Sequence, residues 1–164
     1  MKLKLVALLA FTLFLALPVF ATPASTSPLA GRWILDVATL PMPPEARPKS
    51  VTLDFHGESD GKWTTRVDIV LQDDSKMFAE STLPLDGTPG RATGTYWVDV
   101  IAAKMPAPNV LVMQFVYEKI PRSTRVYSVD ADGKVLTETE TYFKEDGTPM
   151  MRTAFFSRSP ASNL

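Results

Sequence analysis

Hydrophobic and polar residues alternate along much of the chain, and the alternation is clearest just past residue 60. There Trp63, Val67 and Ile69 fall on one face of an extended segment, whereas Arg66 and Asp68 fall on the other. A period of two residues is typical of a β-strand with one buried face. The pattern therefore predicts strands with one solvent-exposed face and one buried face.

Similar runs recur along the chain and are separated by turn-forming residues such as Asp-Gly pairs. Strands at this spacing indicate an antiparallel meander. We predict about nine strands, in residues 31–37, 51–56, 63–71, 77–83, 95–101, 110–119, 124–129, 135–143 and 150–157.

A meander of this length leaves open sheet edges unless the sheet closes on itself. We therefore predict an all-β fold, an antiparallel up-and-down β-barrel of about eight to nine strands. A barrel of that size has an interior able to hold one small ligand. A sandwich of two sheets is the alternative.

The first residues have the features of a secretory signal peptide. Lys2 and Lys4 precede an apolar run over residues 5–17, and small residues end at Ala21. The run is too short to span a membrane, which takes about 20 apolar residues. We predict cleavage after Ala21, no transmembrane anchor, and a periplasmic or secreted protein.

The rest of the chain reads as one domain. We assign 1–21 to the signal peptide, 22–28 to a flexible leader, 29–158 to the barrel and 159–164 to a disordered tail. The formal net charge is -1 and the chain has no cysteine. This composition speaks against a nucleic-acid partner and excludes disulfides and thiolate metal sites. We expect no cofactor and no metal site, and the sequence does not define the oligomeric state.

Gly31-Arg32-Trp33 opens the first predicted strand, a proline-rich loop follows at 41–48, and residues 132–139 read D-G-K-V-L-T-E-T. In these elements the chain resembles small exported bacterial lipocalin-like (calycin) proteins. The resemblance implies that Trp33 closes the barrel base and that Arg158, or alternatively Arg152, packs over it, with Gly31 as a structural residue. It implies a fold and a tendency to bind ligands more than a defined activity.

Residues 135–143 carry the candidate acid–base chemistry. One face holds mostly threonines, and the other holds Glu138 and Glu140. We expect the threonine-bearing face to point inward, because burying carboxylates is costly. If the glutamates point inward instead, Arg125 and Arg152 are their candidate partners, and paired carboxylates could do acid–base catalysis.

Aromatic and apolar side chains are abundant enough to line a cavity. The residues that we expect to line the lumen are Trp63, Val67, Ile69, Met113, Phe115, Tyr117 and Tyr142. The predicted function is binding of a small hydrophobic or amphipathic molecule in the lumen. The alternatives are a hydrolase or isomerase that uses Glu138 and Glu140, and an envelope carrier of lipid or lipoprotein.

Overall fold

The computed structural model describes residues 27–160. Its eleven strands lie in one antiparallel sheet. The predicted signal peptide and most of the predicted leader and tail lie outside the described residues. The strands are β1 Gly31–Leu35, β2 Ser50–Gly57, β3 Trp63–Val70, β4 Lys76–Leu83, β5 Asp86–Arg91, β6 Thr93–Gly94, β7 Val100–Ala107, β8 Val110–Tyr117, β9 Ile120–Val129, β10 Val135–Phe143 and β11 Pro149–Arg158.

The sheet curls into a nearly closed barrel. Its strand order is β5-β7-β8-β9-β10-β11-β1-β2-β3-β4-β6. The two outermost strands, β5 and β6, are consecutive pieces of one chain segment joined through Ala92. This segment pairs first with β7 and then with β4, so the chain itself bridges the gap between the sheet edges. The prediction of an all-β antiparallel fold is confirmed.

The strand count and one strand position were predicted incorrectly. We expected a strand at 95–101, but residues 95–99 form bends and β7 begins at Val100. We also expected a turn at Asp86-Gly87, where β5 begins. The Thr-Tyr-Trp-Val run has high β-propensity, but two successive backbone N–H groups there, of Thr95 and Tyr96, both donate to the carbonyl of Phe78. Tertiary contacts thus override the local preference.

Buried and exposed side chains alternate along the strands. On β2 the side chains of Leu53 and Phe55 are buried, and on β8 those of Leu111 and Met113 are buried. His56, the only histidine, is exposed on the outer face. The apolar members of each alternating run therefore build the barrel core, as expected for strands with one dry face.

One end of the barrel, which we call the base, is closed by Trp33. Its indole N–H donates to the carbonyl of Leu29 at 2.8 Å, and both residues are fully buried. The guanidinium of Arg158 lies 4.0 Å from the centre of the Trp33 ring, the arrangement that the family resemblance implied. Arg158 also donates to the carbonyls of Gly133, Ala30 and Pro28 at 2.7, 2.7 and 2.6 Å.

The chain before β1 and the glycine that opens it are both tied to this base. Ser27, assigned to the leader, is buried and its hydroxyl donates to the carbonyl of Pro108 at 2.5 Å. Gly31 has a φ of 123°. A Cβ there would lie 2.7 Å from a guanidinium nitrogen of Arg158, so only glycine fits both the backbone and the arginine.

We call the opposite end the mouth. The β8–β9 turn lies there, and so does the proline-rich loop between β1 and β2. The loop is held to the neighbouring strands by bonds from Lys49 N–H to Val70 and from the Gln72 amide to Arg47, each 2.8 Å long. Within residues 27–160 the structure has no helix that is long and apolar enough to cross a bilayer.

Candidate functional site

Two adjoining cavities open at the mouth. The inner cavity has a volume of about 160 Å³ and the outer cavity about 260 Å³. Both are lined by Phe115, Arg122, Ser123 and Tyr142. The inner cavity adds Tyr96, Trp97, Arg125 and Glu140, and the outer one adds mainly outward-facing residues of β8, β9 and β10.

The walls of the inner cavity are aromatic. Tyr96 and Trp97 stack with their ring centres 6.3 Å apart and their planes at 24°. Phe115 and Tyr142 come from β8 and β10. Trp97 remains 58% exposed although it is among the largest apolar side chains of the protein. Its ring face is therefore available at the mouth.

Beneath these rings lies a cluster of four charged side chains, Arg125, Glu138, Glu140 and Arg152, which we call the charge cluster. Arg125 is 3.1 Å from a carboxylate oxygen of Glu140 and 3.7 Å from one of Glu138. Its guanidinium also donates to the Tyr96 hydroxyl at 3.3 Å and covers the Phe115 ring. The cluster therefore connects directly to the cavity walls.

Strand register brings the members of the cluster together. Glu140 stands opposite Arg125 of β9 and opposite Arg152 of β11. The Nε of Arg152 donates to the carboxylate oxygen of Glu140 that Arg125 leaves free. Glu140 is thus held between two arginines, whereas Glu138 faces only Arg125.

The orientation of β10 that we expected is wrong. Leu136, Glu138 and Glu140 are the buried residues of β10, so the threonine-bearing face points outward. We expected the opposite because burial of a carboxylate is costly. Here the arginines on the neighbouring strands offset that cost. The same orientation, with the threonine side chains pointing outward, also places Leu136 in the core.

The two carboxyl groups differ in acidity. Burial raises the pKa of Glu138, and Arg125 opposes that rise only in part. Burial acts in the same direction on Glu140, but Arg125 and Arg152 outweigh it and lower the pKa of Glu140. Burial acts to lower the pKa of Arg125, but Glu138 and the neighbouring tyrosines raise it, so the guanidinium stays charged.

The predicted lumen residues divide into three groups. Phe115 and Tyr142 line both cavities. Trp63 and Met113 are fully buried in the packed core nearer the base, where Trp63 contacts the ring of Phe55. Val67, Ile69 and Tyr117 are half-buried and line neither cavity.

Sequence reasoning missed Arg122 and Ser123. Both lie beside a β-bulge, where the pairing of β8 with β9 shifts between Phe115 and Val116. The available signal was Pro121, which has no N–H to donate to a ladder and so marks a break in regular pairing. In the bulge, Arg122 borders both cavities.

Within the part of the chain that the structure describes, no group of three or more histidine, cysteine, aspartate or glutamate side chains is placed to hold a metal ion. No known protein family, curated protein or solved structure matches this chain. The geometry of the mouth is therefore the basis for an assignment of function.

Proposed function

We propose that this chain is an exported, lipocalin-like barrel that binds a small amphipathic molecule at its mouth. The observation that carries the proposal is the inner cavity of about 160 Å³, in which aromatic walls adjoin the charge cluster. Concave sites with apolar walls and a few placed polar groups are typical of small-molecule binding.

The packing of the barrel supports the mouth over the deep lumen as the binding site. Trp33, Trp63, Tyr127 and Phe55 are all fully buried, and their rings occupy the space nearer the base. Phe55 and Tyr127 meet edge to face with ring centres 5.4 Å apart. A ligand would therefore rest on this packed core, between the core and solvent.

The exposure of Trp97 supports the same site. A large aromatic ring that is stacked on one side and open to water on the other gains free energy when a ligand covers its open face, because apolar surface is then removed from water. The Tyr96 hydroxyl fixes this pair by accepting a hydrogen bond from Arg125. The binding surface is therefore organised before any ligand arrives, which lowers the cost of binding.

The enzyme alternative has one observation in its favour, the opposite pKa shifts of Glu138 and Glu140. Such a separation is typical of acid–base pairs. However, only Glu140 borders a cavity, and both of its oxygens are engaged by arginines. The carrier alternative would need an open sheet with an apolar concave face, whereas this sheet is nearly closed and its inner face is packed.

The first prediction tests binding at the mouth with the probe 1-anilinonaphthalene-8-sulfonate, whose fluorescence rises in apolar sites. Wild-type protein should bind the probe saturably, and Trp97→Ala or Tyr142→Ala should weaken binding by about tenfold, because each removes one face of the cavity. Fluorescence titration gives the dissociation constant.

Phe155→Ala is the matched control. Phe155 is an exposed aromatic residue on the outer face of β11 and lines neither cavity. This variant should bind the probe as tightly as wild type. Equal affinity of Trp97→Ala and wild type, or equal losses in Trp97→Ala and Phe155→Ala, would show that the probe binds elsewhere.

A further inference from the structure

The lining and floor of the inner cavity carry more positive than negative charge. Arg122, Arg125 and Arg152 surround the inner cavity or its floor, and two carboxylates, those of Glu138 and Glu140, face them. Arg125 and Arg152 are held by these carboxylates. Arg122 is exposed and, within the described residues, forms no ion pair. The guanidinium of Arg122 is therefore available to pair with an anionic ligand.

The size of the inner cavity sets the size of what enters it. A cavity of about 150 Å³ lined by apolar side chains is large enough for one benzene ring. The inner cavity, at about 160 Å³, is of the same size. A long acyl chain would extend out of the inner cavity, into the outer cavity or into solvent.

The walls of the cavity favour a flat ring. Tyr96 and Trp97 are nearly parallel, so Trp97 offers its face for stacking, and Phe115 and Tyr142 supply the other sides. Aromatic pairs in offset or edge-to-face contact gain more than the burial of their area alone. An aliphatic group of equal volume would gain only the free energy of burying its apolar surface.

We propose that the ligand is an aryl carboxylate with a single ring, bound with its ring among Tyr96, Trp97, Phe115 and Tyr142 and its carboxylate on Arg122. The proposal rests on the proposed function of the mouth and names its ligand class. A planar guanidinium matches a carboxylate with two parallel hydrogen bonds. Arg122 lies where the inner and outer cavities meet, so it reaches an acid group at the edge of the ring.

The test is isothermal titration of the full mature chain with three compounds of similar size: benzoate, benzamide and cyclohexanecarboxylate. Benzoate should bind about tenfold more tightly than benzamide, because only benzoate carries the charge that Arg122 pairs. It should also bind several-fold more tightly than cyclohexanecarboxylate, which lacks the aromatic faces.

Arg122→Gln should remove the preference for benzoate and leave benzamide binding within about twofold. Arg91→Gln is the matched control, since Arg91 is an exposed arginine that lines neither cavity and its loss changes the net charge equally. It should leave all three affinities unchanged.

The outcomes separate the two proposals. If the sulfonate probe binds wild type and is lost in Trp97→Ala, but benzoate binds no better than benzamide or is insensitive to Arg122→Gln, the aryl carboxylate class is wrong and mouth binding stands. If cyclohexanecarboxylate equals benzoate, the aromatic requirement is wrong. If neither the sulfonate probe nor any of the three compounds binds, the proposed function itself is wrong.

Discussion

At the level of single residues, Glu138 and Glu140 show how two identical side chains on one strand acquire different roles. Both are buried and both face Arg125, but Arg125 is closer to Glu140, and only Glu140 has a second arginine. The pKa of Glu140 is therefore lowered, while burial keeps the pKa of Glu138 raised. Their contributions to stability should depend on pH in opposite ways.

The sign of each contribution follows from linkage. A carboxyl group with a lowered pKa stabilises the fold above its ordinary value near 4.5, and that stabilisation is lost as the pH falls through the folded-state pKa. A carboxyl group with a raised pKa has the opposite effect. It subtracts stability as the pH rises from near 4.5 through its folded-state pKa.

We therefore predict that Glu140→Gln costs about 3 kcal/mol of unfolding free energy at pH 7, because it breaks a buried ion pair and leaves Arg125 undercompensated. Glu138→Gln should cost less than about 1 kcal/mol, because it also removes a desolvation penalty. Urea unfolding between pH 3 and 8 measures both values and covers the range in which Glu140 becomes protonated.

Each of these variants is the control for the other. The deficit of Glu140→Gln should shrink as the pH falls below about 4.5, while Glu138→Gln should gain on wild type as the pH rises above that value. A larger loss in Glu138→Gln than in Glu140→Gln at pH 7 would contradict the assigned ion pairs.

At the level of strands, the segment from β5 to β6 decides whether the barrel closes. Gly94 ends this segment with a φ of 137°, directly against β4. A Cβ at Gly94 would lie 2.1 Å from the carbonyl oxygen of Phe78, which belongs to backbone and cannot move aside. Glycine is thus required here for two separate reasons.

Gly94→Ala should lower the free energy of unfolding by about 3 kcal/mol, through left-handed strain and a backbone clash together. Gly87→Ala is the matched control in the same segment. Gly87 has a φ of 94°, but nothing lies within 4 Å of its added Cβ, so it should lose only about 1 kcal/mol. Equal losses in the two variants, measured by urea unfolding, would show that strain alone matters.

The strands also show what the sequence could predict. Strands β2, β3 and β10 were found nearly in place because each alternates over at least six residues and ends at a turn signal. Strands β5 and β6 were not predicted because both contain glycine, β5 also contains proline, and both form only through pairing with β7 and β4. The β-propensity of a segment does not reveal which distant strands will pair with it.

The candidate site was predictable only in its parts. Arg125 and Arg152 were identified as possible partners of the glutamates, and Phe115 and Tyr142 as possible ligand contacts. Which face of β10 points inward could not be decided, because it depends on whether neighbouring strands supply cations at the matching register. The position of Arg122 depends on a bulge that no alternating pattern reveals.

At the scale of the whole molecule, the outer surface has two unlike halves. The outer faces of β1 to β4 carry charges in paired contacts, such as Arg32 with Asp54 at 2.9 Å and Arg66 with Glu80 at 3.0 Å. The outward side chains of β8, β10 and β11, and those of β9 from Thr124 onward, include no charged residue; we call this surface the uncharged face. Its most exposed apolar members are Phe143 and Met151, at 73% and 71%.

We expect the uncharged face to control the solubility of the protein in salts that favour the burial of apolar surface. Sulfate is excluded from protein surfaces and favours association through faces that carry no charge. We predict that Thr139→Lys, at the centre of the uncharged face, raises the ammonium sulfate concentration needed for half-precipitation. Thr139 lies on β10 between Val126 of β9 and Thr153 of β11, so one lysine there interrupts the face at its middle.

Thr52→Lys is the matched control, because Thr52 also points outward from a central strand but stands opposite Asp68 within the charged half. It adds the same charge to the molecule and should shift the precipitation midpoint much less. Equal shifts would mean that net charge, which is only -1 for the chain, governs solubility. A shift confined to Thr139→Lys would mean that association proceeds through the uncharged face, since only there does the added charge have to be desolvated when two molecules meet.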